Sequence, residues 1–127
     1  MGTAGGDDLF YDLIKNIQDA NLFLVEPIQA EEAENFYKTT GLKYTVINKA
    51  VVTNEYEGDN VDIYLFHNDG NLSSLLNRKA IASTHHKSVS VIKIDELLNL
   101  ANNDAELLYI DTEGMDYELL YSLDLLK

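Results

Sequence analysis

Residues 106–120 read Glu-Leu-Leu-Tyr-Ile-Asp-Thr-Glu-Gly-Met-Asp-Tyr-Glu-Leu-Leu, and this stretch decides the fold. Its first half is a continuous apolar run, which predicts a buried strand, and its second half has apolar residues at helical spacing. The acids Asp111, Glu113 and Asp116 therefore fall in the turn between a strand and a helix. Ligands of open α/β sheets bind beyond the carboxyl ends of the strands, so this turn is a candidate binding site.

The three acids also have ordinary structural explanations. Asp116 can cap the helix that follows it, and Glu113 can be a solvated loop residue. An acid at a strand end is costly to bury unless it binds something, but it is harmless in water. The local sequence leaves a binding site and a solvated turn equally open.

Composition limits the class of protein. The chain has 127 residues, enough for one hydrophobic core, and we expect a single domain over residues 1–127. No apolar run approaches the roughly 18 residues of a membrane span, and no signal-peptide pattern opens the chain. The sequence contains no cysteine, which excludes disulfides and thiolate metal sites and fits a reducing compartment. We therefore expect a cytoplasmic protein.

The charge is strongly acidic. Nine Lys and Arg residues stand against 22 Asp and Glu residues, giving a formal net charge of −13 that is spread along the chain. Phosphate backbones and anionic membranes are bound by clustered Lys and Arg, which this chain does not have. We expect no nucleic-acid partner and no membrane partner.

The chain opens on a glycine-rich turn that leads into a helix. Gly2, Gly5 and Gly6 allow a tight turn and the close approach of a ligand, although they do not spell the G-x-G-x-x-G dinucleotide motif. Asp7 or Asp8 is placed to be the N-cap of the helix. Its predicted apolar face consists of Leu9, Phe10, Leu13, Ile14 and Ile17.

A second acid follows a second predicted strand. Residues 21–25 form a short apolar run that ends at Glu26-Pro27, and Pro27 is the only proline in the chain. About twenty residues after a glycine turn is where nucleotide-binding α/β folds place the carboxylate that accepts the ribose hydroxyls. A strand-end acid facing water is the alternative. The spacing together with the Glu-Pro pair favours ribose binding.

The next segments predict one helix and one strand. The helix covers residues 30–38, and Gly41 is placed to end it. A β-rich run over residues 44–52 predicts a single strand, with Asn48 and Ala50 near its end, where an adenine ring could lie.

A β insertion follows, with alternating strands predicted over residues 61–67 and 87–94. Its loop carries His67, His85 and His86, which could bind a metal or move protons. No His-x-x-x-His spacing is present, so this sequence does not favour a histidine site. Asp95 is then placed to cap a short helix that precedes the decisive stretch.

Several segments together resemble the FkbM-type family of S-adenosylmethionine-dependent methyltransferases. The resemblance covers nearly the whole chain, and its most specific part is the Ile-Asp-x-Glu-Gly motif with a downstream acid, preceded by a Glu-Pro strand end. The segments that carry it are the glycine turn and residues 25–27, 47–51, 73–75, 91–97 and 109–116.

The resemblance implies an α/β fold, namely a Rossmann-like methyltransferase three-layer sandwich with a β insertion. It also implies transfer of the methyl group of S-adenosylmethionine to an oxygen atom of a sugar or small metabolite. The implied cofactor contacts are Gly2, Thr3, Gly5 and Gly6 at the methionine end, Glu26 at the ribose, and Asn48 with Ala50 beside the adenine.

Asp111 and Glu113 are implied to lie at the substrate end of the crevice, as catalytic residues. A carboxylate there can accept the proton of an attacking hydroxyl group, or hold a divalent ion that lowers the pKa of that group. The sequence does not choose between these two roles.

The sequence departs from the family pattern at both ends. The family's first strand should precede the glycine turn, and further strands should follow residue 127, so we expect an incomplete sandwich with the first and late strands missing. Unpaired sheet edges would favour a homo-oligomer. Two other functions stay open: a non-catalytic remnant or interaction module that keeps the fold, and an acidic domain that binds a divalent metal through Asp111, Glu113 and Asp116.

Overall fold

A computed structural model describes residues 9–64, 86–112 and 115–123. These residues form a mixed α/β structure, as predicted. Its elements, in chain order, are α1 (Leu9–Ile14), β1 (Asn21–Val25), α2 (Ala30–Tyr37), β2 (Lys43–Ile47), β3 (Ala50–Val52), β4 (Asn60–Tyr64), β5 (His86–Lys93), α3 (Ile94–Leu100) and α4 (Asp116–Ser122).

The first sheet is a parallel pair joined by a helix. β1 pairs with β2 from Asn21↔Lys43 to Val25↔Ile47, and α2 makes the crossover between them. Parallel strands need such a crossover, and it brings both carboxyl ends to the same edge of the sheet. β1 and α2 confirm the predicted strand and helix. Gly41, predicted to end this helix, follows the turn residues 38–40 after α2 and has a φ of 76°.

The single strand predicted over residues 44–52 is wrong. The chain turns at Asn48-Lys49, where the Lys49 N–H donates to the Ile47 carbonyl at 2.9 Å. β2 stays with β1, whereas β3 pairs in parallel with β5, which also pairs antiparallel with β4. The β-rich run is shared between two sheets because each half found a different partner, and the residue pattern does not encode that choice.

The structure of residues 106–120 agrees with the prediction only in part. Residues 105–112 form no strand, and Leu107 and Leu108 are exposed. A strand requires a neighbour to take up its main-chain hydrogen bonds, and no described strand pairs with this run. The predicted helix after it is confirmed as α4, whose Leu119 is fully buried.

The end of α1 and the start of α3 differ from the prediction. α1 ends at Ile14 rather than Ile17, and among its predicted apolar face Leu9, Leu13 and Ile17 are exposed. Asp95 does not cap α3, which begins one residue earlier at Ile94. The predicted caps Asp7 and Asp8, and the insertion over residues 65–85, lie outside the described residues.

One hydrophobic cluster joins the two sheets to the carboxyl-terminal helices. Ile47 of β2 and Ile110 pack against it. Its buried members are Val25, Val51, Ile92, Ile94, Leu97, Leu119 and Leu123. The described strands form two separate sheets, so the three-layer sandwich stays a prediction. In the described part of the chain, no helix has the length and apolar character needed to cross a membrane.

Candidate functional site

Glu26 and Asn48 lie side by side at the carboxyl end of the parallel pair. Each follows the last residue of its strand, and those last residues, Val25 and Ile47, are paired. The Glu26 N–H continues the ladder by donating to the Ile47 carbonyl at 3.0 Å. The crossover connection has thus placed two polar side chains from distant sequence positions at one sheet edge, where α/β folds bind ligands.

The Glu26 side chain is buried and oriented by the start of α2. Only 6 % of the residue is exposed. Its Oε1 atom accepts the main-chain N–H groups of Ile28 at 2.9 Å and Gln29 at 3.0 Å. Gln29 immediately precedes α2, and N–H groups at a helix start lack partners within the helix. The carboxylate is therefore fixed at the strand end by two charge-assisted hydrogen bonds.

Asn48 is hydrogen-bonded to the same part of the structure, the end of β1 with Glu26 and the turn that follows it, which we call the corner. With its side-chain nitrogen facing the acceptors, the Asn48 amide donates to the carbonyl oxygens of Pro27 at 3.1 Å and Glu26 at 3.2 Å. These bonds tie the end of β2 to the turn that follows β1. Asn48 is exposed, so the corner is open to solvent on that side.

Ala50 lies two residues beyond Asn48, at the start of β3. It is 3 % exposed and packs with Ile63 and Val89, and Ile28 contacts the same cluster. Its methyl group thus belongs to the hydrophobic layer under the corner. The placement of adenine beside Asn48 and Ala50 stays a prediction.

Asp111 is linked to the hydrophobic core through the residue that precedes it. The preceding residue, Ile110, packs against the hydrophobic cluster that contains Val25 and contacts Ile47. Glu26, Asn48 and Asp111 therefore each follow, in the sequence, a residue that belongs to this cluster or packs against it. Asp111 is exposed and makes no hydrogen bond or ion pair with the described residues. It is a solvated carboxylate anchored to the same core as Glu26.

The turn after Asp111 is closed by Thr112 and Asp116. Asp116 Oδ1 accepts the N–H of Thr112 at 2.7 Å and its hydroxyl at 2.6 Å, and Thr112 Oγ1 accepts the N–H of Met115 at 3.2 Å. The prediction that Asp116 caps the helix is wrong, because α4 begins at Asp116 and Met115 holds the cap position. Asp116 instead binds backward to the turn that carries Asp111.

Asn54 is a structural residue that the sequence analysis missed. Its Oδ1 atom accepts the Asp95 N–H at 3.1 Å, at the start of α3, and its Nδ2 donates to the Ser122 carbonyl at 3.0 Å, at the end of α4. The Asn54 N–H also donates to Ser122 Oγ at 2.9 Å. One asparagine thus caps one helix and holds another. No local signal marks it, because its partners are 41 and 68 residues away.

Five predicted site residues lie outside the described part of the chain: Gly2, Thr3, Gly5, Gly6 and Glu113. His67 and His85 also lie outside it. His86 is exposed in β5, with Nε2 at 4.0 Å from Asp62 Oδ2. Within residues 9–64, 86–112 and 115–123, no three His, Cys, Asp or Glu side chains come together as metal ligands. The acidic metal site that includes Glu113 stays a prediction.

The fold and the corner define a class of protein. A buried carboxylate at the end of the first strand of a parallel β-α-β unit, beside a polar residue at the end of the next strand, is the arrangement with which α/β domains bind nucleotide-like ligands. The family model for the methyltransferase FkbM domain matches residues 5–126, so the chain belongs to this methyltransferase family and the predicted resemblance is confirmed. No curated protein and no solved structure matches the chain.

Proposed function

We propose that this chain binds S-adenosylmethionine and methylates an oxygen atom of a sugar or small metabolite. The observation that carries the proposal is the buried Glu26 carboxylate, fixed at the end of β1 by the N–H groups of Ile28 and Gln29. A carboxylate held in one orientation binds a pair of vicinal hydroxyl groups without the cost of first ordering the side chain. Membership of the FkbM family supports the assignment.

The corner residues fit distinct parts of the cofactor. Glu26 accepts hydrogen bonds from the ribose hydroxyls, because an ionised carboxylate offers about four acceptor positions. Asn48 and the hydrophobic layer at Ala50 lie beside the adenine. The family resemblance assigns Gly2, Thr3, Gly5 and Gly6 to the methionine end of the cofactor. When bound, S-adenosylmethionine would supply a methyl group on a sulfonium sulfur, and the neutral thioether S-adenosylhomocysteine would be the leaving group.

Asp111 acts at the acceptor side. Its exposed carboxylate accepts the proton that the acceptor hydroxyl group loses, or with Glu113 holds a divalent ion that makes the hydroxyl more acidic. Holding the hydroxyl in line with the methyl group and excluding water also lowers the barrier.

Calorimetric titration with S-adenosylhomocysteine tests the cofactor site. We expect saturable binding by the chain and a loss of affinity of about tenfold or more in Glu26→Gln, since hydrogen bonds to a charged group are worth about 1.5–3 kcal/mol. Gln keeps an oxygen that can accept the Ile28 and Gln29 N–H groups, so the turn is preserved. The matched control is Glu32→Gln, an exposed position on α2, which should bind like the parent chain.

A second function is favoured by one observation. Residues 105–112 pair with no described strand, so within the described residues the segment carrying Asp111 does not belong to a sheet, unlike the strand ends at which α/β folds bind their ligands. That arrangement suits a non-catalytic module that retains the fold. The titration distinguishes the two: absence of binding by the parent chain contradicts the methyltransferase proposal and leaves the module.

A further inference from the structure

Asp116 is the downstream acid of the Ile-Asp-x-Glu-Gly motif, and neither the cofactor side nor the acceptor side of the proposed function uses it. It is exposed and is the first residue of α4. The helix dipole favours an acid in this first turn, but Glu118 lies in the same turn and meets that need equally. What distinguishes Asp116 from Glu118 is the group to which its side chain is bonded.

The Asp116 side chain bonds to the main chain directly after Asp111. Its Oδ1 atom accepts the Thr112 N–H at 2.7 Å and the Thr112 hydroxyl at 2.6 Å. Bonds this short are typical of an ionised acceptor and are stronger than bonds between neutral groups. The Thr112 N–H belongs to the planar peptide group that joins Asp111 to Thr112, so Asp116 fixes the orientation of that group.

The helix that carries Asp116 is itself fixed to the core. Leu119 of α4 is fully buried in the hydrophobic cluster, and the carbonyl group of Ser122, the last residue of α4, accepts a hydrogen bond from Asn54. On the other side of Asp111, Ile110 packs against the same cluster. Asp111 therefore lies between two attachments to one core: Ile110 before it, and the bonds from Thr112 to Asp116 after it.

These attachments matter because nothing else in the described structure orients Asp111. Its carboxylate is exposed and makes no hydrogen bond or ion pair with the described residues. A group that takes a proton has to lie within hydrogen-bond reach of the reacting hydroxyl, and a displacement of about 1 Å costs about 100-fold in rate. The position of this carboxylate is therefore set by its main chain.

We propose that Asp116 is a positioning residue that, through Thr112, holds Asp111 in place for the acceptor hydroxyl group. The inference rests on the proposed function, because it requires Asp111 to act at the acceptor side. Asp116 takes no proton itself. Its contribution is the fixed main chain from which the Asp111 side chain extends.

Amide order parameters from ¹⁵N relaxation test this without any acceptor. In the parent chain, Asp111 and Thr112 should be as rigid as α4, with values of about 0.85. Asp116→Ala should lower both values to about 0.6 or less while Leu119 stays ordered. Asp116→Asn keeps an oxygen that accepts the Thr112 N–H and should restore the order. Glu118→Ala removes the same charge from the same turn of α4 and is the matched control, with no change expected.

Methyl transfer tests whether the position of Asp111 affects the reaction. The probe acceptor is methyl β-D-glucopyranoside, a neutral sugar with free hydroxyl groups, and the S-adenosylhomocysteine formed is measured. We expect Asp116→Ala to bind S-adenosylhomocysteine like the parent chain but to turn over about tenfold more slowly, and Asp116→Asn to recover most of the rate. A variant that is merely unstable would lose binding and turnover together.

The outcomes separate this inference from the proposed function. A parent chain that binds no S-adenosylhomocysteine contradicts the proposed function, whatever its order parameters are. An Asp111 amide that is mobile in the parent chain, or equally rigid in Asp116→Ala, overturns the inference even when the cofactor site binds. An unchanged turnover in Asp116→Ala overturns it as well. If the parent chain does not methylate the glucoside, or if the Ala variant fails to fold, the order parameters of the parent chain and of Asp116→Asn decide.

Discussion

Glu26 Oε1 accepts the main-chain N–H of Gln29 at 3.0 Å, and so joins the end of β1 to the start of α2. The same oxygen accepts the Ile28 N–H. The side chain that we propose as the ribose ligand is therefore also part of the fold. Its two roles are separable, because an amide keeps an acceptor oxygen while losing the charge.

Glu26→Ala should destabilise the protein by about 1–3 kcal/mol, because it leaves two main-chain donors without their acceptor. Glu26→Gln should cost about 1 kcal/mol or less. Urea denaturation followed by circular dichroism measures both. Glu32→Ala, on the exposed face of α2, is the control and should change the free energy of unfolding little. Equal losses for Ala and Gln would show that the Oε1 bonds contribute nothing.

Asn54→Ala should destabilise the packing of α4 in particular. The variant removes the acceptor of the Asp95 N–H and the donor to the Ser122 carbonyl. We expect a loss of about 1–3 kcal/mol and faster hydrogen exchange in α4 than in α2. Asn35→Ala, an exposed position on α2, should be neutral or slightly stabilising because Ala is the better helix former. Uniform exchange in the Asn54 variant would contradict this role.

Thr112→Val keeps the shape of the side chain but removes the hydroxyl that bonds to Asp116 and Met115. We expect a loss of about 1 kcal/mol, since the site is partly exposed. Thr112→Ser retains the hydroxyl and should recover most of the loss. The free energy of unfolding decides, and a Val variant as stable as the parent chain would mean that the hydroxyl bonds contribute nothing.

Tyr44 should make stability fall at high pH. Its hydroxyl donates to Glu34 Oε1 at 2.8 Å, and this hydrogen bond, followed by desolvation and the Glu34 charge, raises the pKa of Tyr44 above 10.0. A raised pKa means that the folded state favours the protonated phenol. The contribution is therefore complete below about pH 10 and is lost as the pH rises through the folded-state value.

Comparing unfolding of the parent chain with Tyr44→Phe from pH 8 to pH 11 tests this. The difference in stability between the two proteins should shrink as the pH rises. The comparison is Tyr56→Phe, which removes a hydroxyl that donates to the Asn60 carbonyl. A pH-independent difference would contradict the assignment.

Gly41→Ala should cost about 1 kcal/mol. The residue has φ of 76°, and an added Cβ meets no atom within 4 Å, so the cost is conformational alone. Gly41→Asn should cost less, because Asn tolerates this region. Thermal unfolding measures both, and a neutral Ala variant would show that the loop relaxes to another conformation.

Local pattern was sufficient wherever the cause of structure is local. The apolar run of β1 and the periodicity of α2 predicted the first two elements of the β-α-β unit, and Glu26 followed as the acid at the end of β1. Helical spacing likewise predicted α4. In each case the residues that determine the element lie within it or beside it.

Pattern failed wherever a distant partner decides. Residues 44–52 and 106–110 are both β-rich, yet the first divides between two sheets and the second pairs with no described strand. Asn54 has no recognisable local motif, although it links two helices. Strand pairing and long-range hydrogen bonds depend on which surfaces meet, and a linear pattern does not contain that information.

The sequence by itself determined the family, β1, α2, α4 and the acids that follow Val25 and Ile110, because hydrophobic periodicity and motif spacing are properties of the chain. Only the tertiary structure decided that Glu26 is buried and held by the start of α2. It also decided that the Asn48 side chain donates to the carbonyl groups of Glu26 and Pro27. It also decided that, among the described strands, β1 pairs with β2 and β3 with β5. Those features arise from contacts between segments, which form only when the chain packs on one core.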